Sequence, residues 1–157
     1  MREIGFCLMD SRNTFVPTGL YKGPDFFQLL QSFRLQEVFK LDGHLYPWHD
    51  DFSLVTTSKP AAPGEILSLF VTGLGPVSPG VNPGQPFPSS PLAIVNSPVQ
   101  VTVNGNPAQV TAATGYPGAV NGYQVNFQVP PTTAKGPATV QISAAWIAGA
   151  PVTIPIQ

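Results

Sequence analysis

The stretch PVQVTVNGNPAQVTAAT, Pro98 to Thr114, limits what this chain can fold into more than any other. Val99, Val101 and Val103 alternate with polar residues, and a second alternating run follows Asn104-Gly105. A period of two is the pattern of a strand with one buried face. Asn-Gly is the dipeptide that most readily takes the positive φ angles of a two-residue hairpin turn. The same period recurs in EILSLFVT (Ile66, Leu67, Leu69, Val71) and in GYQVNFQVP (Tyr123, Val125, Phe127, Val129). It returns in ATVQISAAW (Val140, Ile142, Ala144), and PVTIPI closes the chain. Short strands separated by Gly, Pro and Asn turns predict an all-β sandwich or barrel. Helix fits poorly, because proline and β-branched residues interrupt each candidate window.

Composition divides the chain in two. Twelve of the fifteen charged residues lie in residues 1–51, whereas only Lys59, Glu65 and Lys135 follow from Phe52 on; sixteen of the nineteen prolines lie in that second part. The expected organisation is therefore an N-terminal extension, 1–51, and an all-β domain, 52–157. The uncharged, proline-rich GPVSPGVNPGQPFPSSPLAIVNSP reads as an ordered extended crossover between strands.

The formal net charge is −1 with no basic run, which argues against nucleic-acid binding, since phosphate neutralisation needs clustered cations. No segment approaches the roughly 18 apolar residues that cross a bilayer, so membrane insertion is not expected. MREIGFCLMDSRN has no continuous apolar core and no cleavage-like site, so no secretory signal is read in it. Cys7, the single cysteine, has apolar neighbours and reads as a small buried hydrophobe.

In the extension, Asp25 after Pro24 predicts a cap for a short helix with Phe26, Leu29, Leu30 and Phe33 on its apolar face. A strand ending at Leu41, an Asp42-Gly43 turn and a return strand His44–Trp48 predict a hairpin, with Leu41 opposite His44 and Phe39 opposite Tyr46. Such a ribbon is marginal alone, so it is expected to pack on the β domain or on a second copy in a homodimer.

Three pieces carry a resemblance: Pro63-Gly64-Glu65, Thr72-Gly-Leu-Gly-Pro76, and Tyr123-Gln-Val-Asn126 with its trailing Gln-Val-Pro. Their order and spacing resemble the uncharacterised C-terminal domain of Solibacter-type acidobacterial proteins, over residues 52–157 or about two thirds of the chain. The resemblance implies an immunoglobulin-like β-sandwich, similar to IPT/TIG modules, within large exported proteins. It implies a secreted or cell-surface setting and no catalytic residues. The motif residues are expected to be structural: Gly73 and Gly75 turn the chain sharply around Leu74, Pro76 ends the strand, and Tyr123 ties its hydroxyl to a neighbouring loop.

Chemistry concentrates in one place, DGHLYPWHDD, Asp42 to Asp51, which contains both histidines. His44 and His49 are five apart, so an unbroken strand points them to opposite faces unless Pro47 bends it. A divalent cation such as zinc held by His44, His49, Asp50 and Asp51 could activate water for ester or phosphoester hydrolysis. The preferred reading is a polar turn joining the hairpin to the domain, with no cofactor. No Gly-x-Ser-x-Gly elbow, phosphate-binding loop or His-Glu-x-x-His occurs, and Ser89 and Ser90 have no base nearby in sequence. The expected function is a non-catalytic accessory or interaction module with a protein or glycan partner, or with neighbouring domains of a longer parent protein. The alternative is the small metal-dependent hydrolase.

Overall fold

A computed structural model describes the strands Phe6–Met9, Phe15–Thr18, Lys40–Leu41 and His44–Leu45 by their backbone, and every residue from Pro47 to Gln157 in full. The chain divides into two compact units, Met1–Arg34 and Leu35–Gln157. In the first unit, β1 (Phe6–Met9) and β2 (Phe15–Thr18) form an antiparallel pair with Cys7 opposite Pro17. The burial of Cys7 and the short helix after Asp25 lie outside the described residues. The second unit begins with β3 (Lys40–Leu41) and β4 (His44–Leu45), antiparallel, with Leu41 opposite His44 as the sequence predicts. The Phe39–Tyr46 pairing lies outside the described residues.

The rest of the second unit is one nine-stranded sheet. Its strands are β5 (Ile66–Thr72), β6 (Val77–Ser78), β7 (Ile94–Val95), β8 (Val99–Val103), β9 (Asn106–Gly115), β10 (Gly122–Gln128), β11 (Gly136–Ala144), β12 (Ile147–Ala148) and β13 (Val152–Ile156). The main path runs β12-β11-β8-β9-β10-β5, with β13 on β11, and with β6 on β7, which in turn pairs with β9. All these pairings are antiparallel, and the fold is all-β, with no helix among the described residues. Strand β9 links the halves: Asn106–Ala108 pair with β8, while Gln109 to Gly115 pair with β10. Its register slips by one residue at Thr111, between the pairs Asn126–Ala112 and Phe127–Val110. An extra residue of this kind bends and twists a strand, and here it helps the sheet curl.

The curl encloses one apolar core, drawn from both halves. Leu67, Leu69 and Val71 of β5 meet Val101 and Val103 of β8, Val125 and Phe127 of β10, and Val140 and Ile142 of β11, all almost completely buried. Each such side chain contributes roughly 1.5–3 kcal/mol of burial free energy. Ile66 departs from the expected apolar face: it precedes Leu67, so its parity turns it outward, and it is 44% exposed. Asn104 and Gly105 have φ of 51° and 79°, the hairpin turn their sequence predicts.

The motif residues are turn chemistry. Pro63 and Gly64 are the central residues of a turn closed by Glu65 N–H donating to the Ala62 carbonyl at 3.1 Å. Gly64 has φ +85°, the angle a type II turn requires at its third position. Leu74 is buried between Gly73 and Gly75, whose φ values are 76° and 91°. Tyr123, on the core side of β10, donates its hydroxyl to the Gly75 carbonyl at 2.6 Å, which ties this loop to the sheet. Burial raises the tyrosine's pKa above its ordinary 10.0.

Candidate functional site

The polar stretch that ends the N-terminal region continues into a tight hairpin. Val55 N–H donates to the Pro47 carbonyl at 2.9 Å, His49 N–H to the Ser53 carbonyl at 2.9 Å and Phe52 N–H to the His49 carbonyl at 3.0 Å. Three residues, Asp50, Asp51 and Phe52, make the loop, and Phe52 takes the left-handed position with φ 58°. Three-residue hairpin loops normally place Gly there. Trp48 exchanges backbone hydrogen bonds with Ser68 at 2.8 and 2.9 Å, so the hairpin extends the sheet at β5.

This hairpin separates the residues considered for a metal. The buried His49 ring points at Glu65, with Nδ1 2.5 Å from Oε1, and its Nε2 lies 3.2 Å from the Lys59 carbonyl. A carbonyl oxygen only accepts, so Nε2 carries the proton it donates, and Nδ1 is occupied by the carboxylate. Both ring nitrogens therefore face protein oxygens. The other Glu65 oxygen accepts from Ala62 N–H at 2.7 Å. Asp51 turns elsewhere, accepting from Lys59 Nζ at 2.5 Å and from Ser53 through both its hydroxyl and its N–H. Those bonds, that of Lys59 foremost, hold the Asp51 carboxyl well below the usual carboxylate range. Asp50 is exposed; His44 is described by backbone alone, as a residue of β4. No group of three His, Cys, Asp or Glu side chains suited to a metal occurs among the described residues.

A different site lies on the outward face of the β5–β10–β9 part of the sheet. Inward burial of Leu67, Leu69 and Val71 forces Ser68 and Phe70 outward. The register then aligns two rows across the strands: Trp48, Ser68, Asn126, Ala112, and beside it Phe70, Gln124, Thr114, Ile94. On the floor, Ser68 Oγ donates to Asn126 Oδ1 at 2.9 Å, and Gln124 Nε2 donates to the same oxygen at 2.8 Å. Aromatic rings stand along the side. Trp48 meets Phe70 edge-on at 6.1 Å, and Phe70 meets Tyr116 edge-on at 5.1 Å. Phe52, Leu92, Tyr116, Gln124 and Asn126 border an open concavity of about 350 Å³, whose lining carries no charged group.

None of these outward residues was singled out as a binding group by sequence reasoning. They are spread from Trp48 to Asn126, and only the register brings them together. The signal that was present is the amide run at alternate positions of β10, Gln124, Asn126 and Gln128, opposite a strand with Phe70 on the same side.

Comparison with protein-family models, with curated proteins and with solved structures finds no match to this chain.

Proposed function

We propose that this chain is a non-catalytic interaction module, an immunoglobulin-like sandwich in its 52–157 part, belonging to a secreted or cell-surface bacterial protein. One observation carries the reading: the outward sheet face presents an uncharged concavity of aromatic and amide side chains on a hydrogen-bonded floor. Convergent polar groups among aromatic walls, on a rigid scaffold, are the usual make-up of a binding site. The resemblance of residues 52–157 to the Solibacter-type C-terminal domain supports the exported setting, and the tie of Tyr123 to the loop at Gly75 is of a kind that sandwich folds use.

The test is saturable binding of the full chain to isolated bacterial envelope, glycan and protein fractions included. Binding is expected to withstand chelation and to fall about tenfold with Tyr116→Ala, a ring that is partly exposed at the concavity. Hydrolysis of an ester or phosphoester that chelation abolishes, and that His44→Ala and His49→Ala both remove, would replace this reading with the metal-dependent one.

A further inference from the structure

We infer that the ligand of the outward concavity is a neutral saccharide, an inference that rests on the module reading above. Three independent observations converge on a hydroxyl-rich, uncharged molecule with apolar faces.

The first is the state of the floor amides. Gln124 Nε2 is shared between Asn126 Oδ1 and, at 3.4 Å, Ser68 Oγ, and Asn126 Oδ1 accepts from both Gln124 and Ser68. The Gln124 carbonyl oxygen and the Asn126 amide NH2 are left without a protein partner among the described residues. The floor therefore keeps one free acceptor and one free donor, the complement of a donating and an accepting sugar hydroxyl. Exchanging oxygen and nitrogen in both amides preserves that combination.

The second is the distribution of aromatic and charged groups. Tyr116 and Phe52 flank the amides, 41% and 68% exposed, and their rings offer apolar surface to the C–H face of a pyranose. No charged side chain lines the concavity, so nothing there would compensate an anionic or cationic ligand on desolvation. Addition of a peptide strand at β10 is closed. Strand β10 is paired on both edges, to β5 and to β9, so an incoming strand finds no open backbone ladder to extend.

The third is Phe52. An exposed phenylalanine held at φ 58° is strained relative to glycine at the same place. Burial does not compensate that strain, since the ring is mostly in solvent. Bordering the concavity, this strained and exposed ring is placed where a ligand would meet it.

The experiment is binding of the full chain to a panel of immobilised neutral polysaccharides (glucans, mannan, xylan, galactan and chitin) with titration of soluble oligosaccharides from any that retain it. The expected result is retention by at least one, weakened tenfold or more by Phe52→Gly and by Gln124→Ala. Phe52→Gly is expected to raise the melting temperature by about 2–4 °C while it weakens binding, which separates contact from folding. Trp146→Ala, on the β11–β12 turn, is expected to keep full retention. Absence of retention by every neutral polysaccharide, or retention that both variants keep, overturns the saccharide assignment. A protein ligand lost in the same two variants also overturns it, yet leaves the module reading standing. Chelation-sensitive turnover of an ester overturns the module reading itself.

Discussion

Tyr123 shows how much one hydroxyl is asked to do. Its ring is buried beside Phe87, at 5.1 Å between centroids, and its oxygen reaches across to Gly75 in the loop that leaves β5. Removing the hydroxyl while keeping the ring isolates the hydrogen bond from the packing. Tyr123→Phe is expected to lose about 1 kcal/mol in denaturant unfolding, because one net hydrogen bond disappears and the exposed Gly75 carbonyl regains water. The sign of the alkaline behaviour follows from the raised pKa. The unfolded chain ionises this tyrosine first, so its contribution is whole below about pH 10 and declines as pH rises toward the folded value. The variant is therefore expected to show a shallower loss of stability above about pH 10 than the parent. Equal alkaline slopes in the two proteins would refute this role.

At the scale of elements, turn residues separate what the sequence reveals from what it hides. Asn104-Gly105 announces its hairpin, and Pro63-Gly64 its turn, because those residues suit few other conformations. The alternating valines likewise give their strands away, since one residue of slip would expose the whole apolar set. The β11–β12 hairpin is the opposite case. Its two turn residues, Ala145 and Trp146, have φ of 46° and 65°, and Trp146 is 83% exposed. Nothing in Ala-Trp signals a turn, so the sequence read ATVQISAAW as a strand running on. Here the flanking pair Ala144–Ile147 and the core side of β11 impose the turn on residues that resist it. Replacing the pair by Asn-Gly is expected to stabilise the fold by about 1–2 kcal/mol, read as a higher denaturant midpoint at unchanged slope. A lower midpoint would mean that Trp146 contributes contacts its exposure does not reveal. The outward site was hidden for a related reason: its rows join residues from five segments, and register, not spacing, assembles them.

At the scale of the molecule, the charge distribution sets what holds the domain together. From Phe52 onward only three residues are charged. Two of these are engaged close to home, Lys59 with Asp51 and Glu65 with His49. The Lys59–Asp51 pair is exposed on both sides, and pairs of that kind contribute little in water. The core, by contrast, is apolar from both halves of the curled sheet. Stability is therefore expected to ignore screening and to follow the strength of apolar burial. Raising sodium chloride from about 0.01 to 0.1 M shortens the screening length from about 30 to 10 Å, and the melting temperature is expected to stay within about 2 °C. Sodium sulfate is expected to raise it, since an excluded salt strengthens burial. The same reasoning extends to the outward concavity: ligand affinity measured across that chloride range is expected to stay constant, because no ionic contact is there to screen. A steep fall of affinity with salt would place charge in the recognition, and with it a ligand of another chemistry.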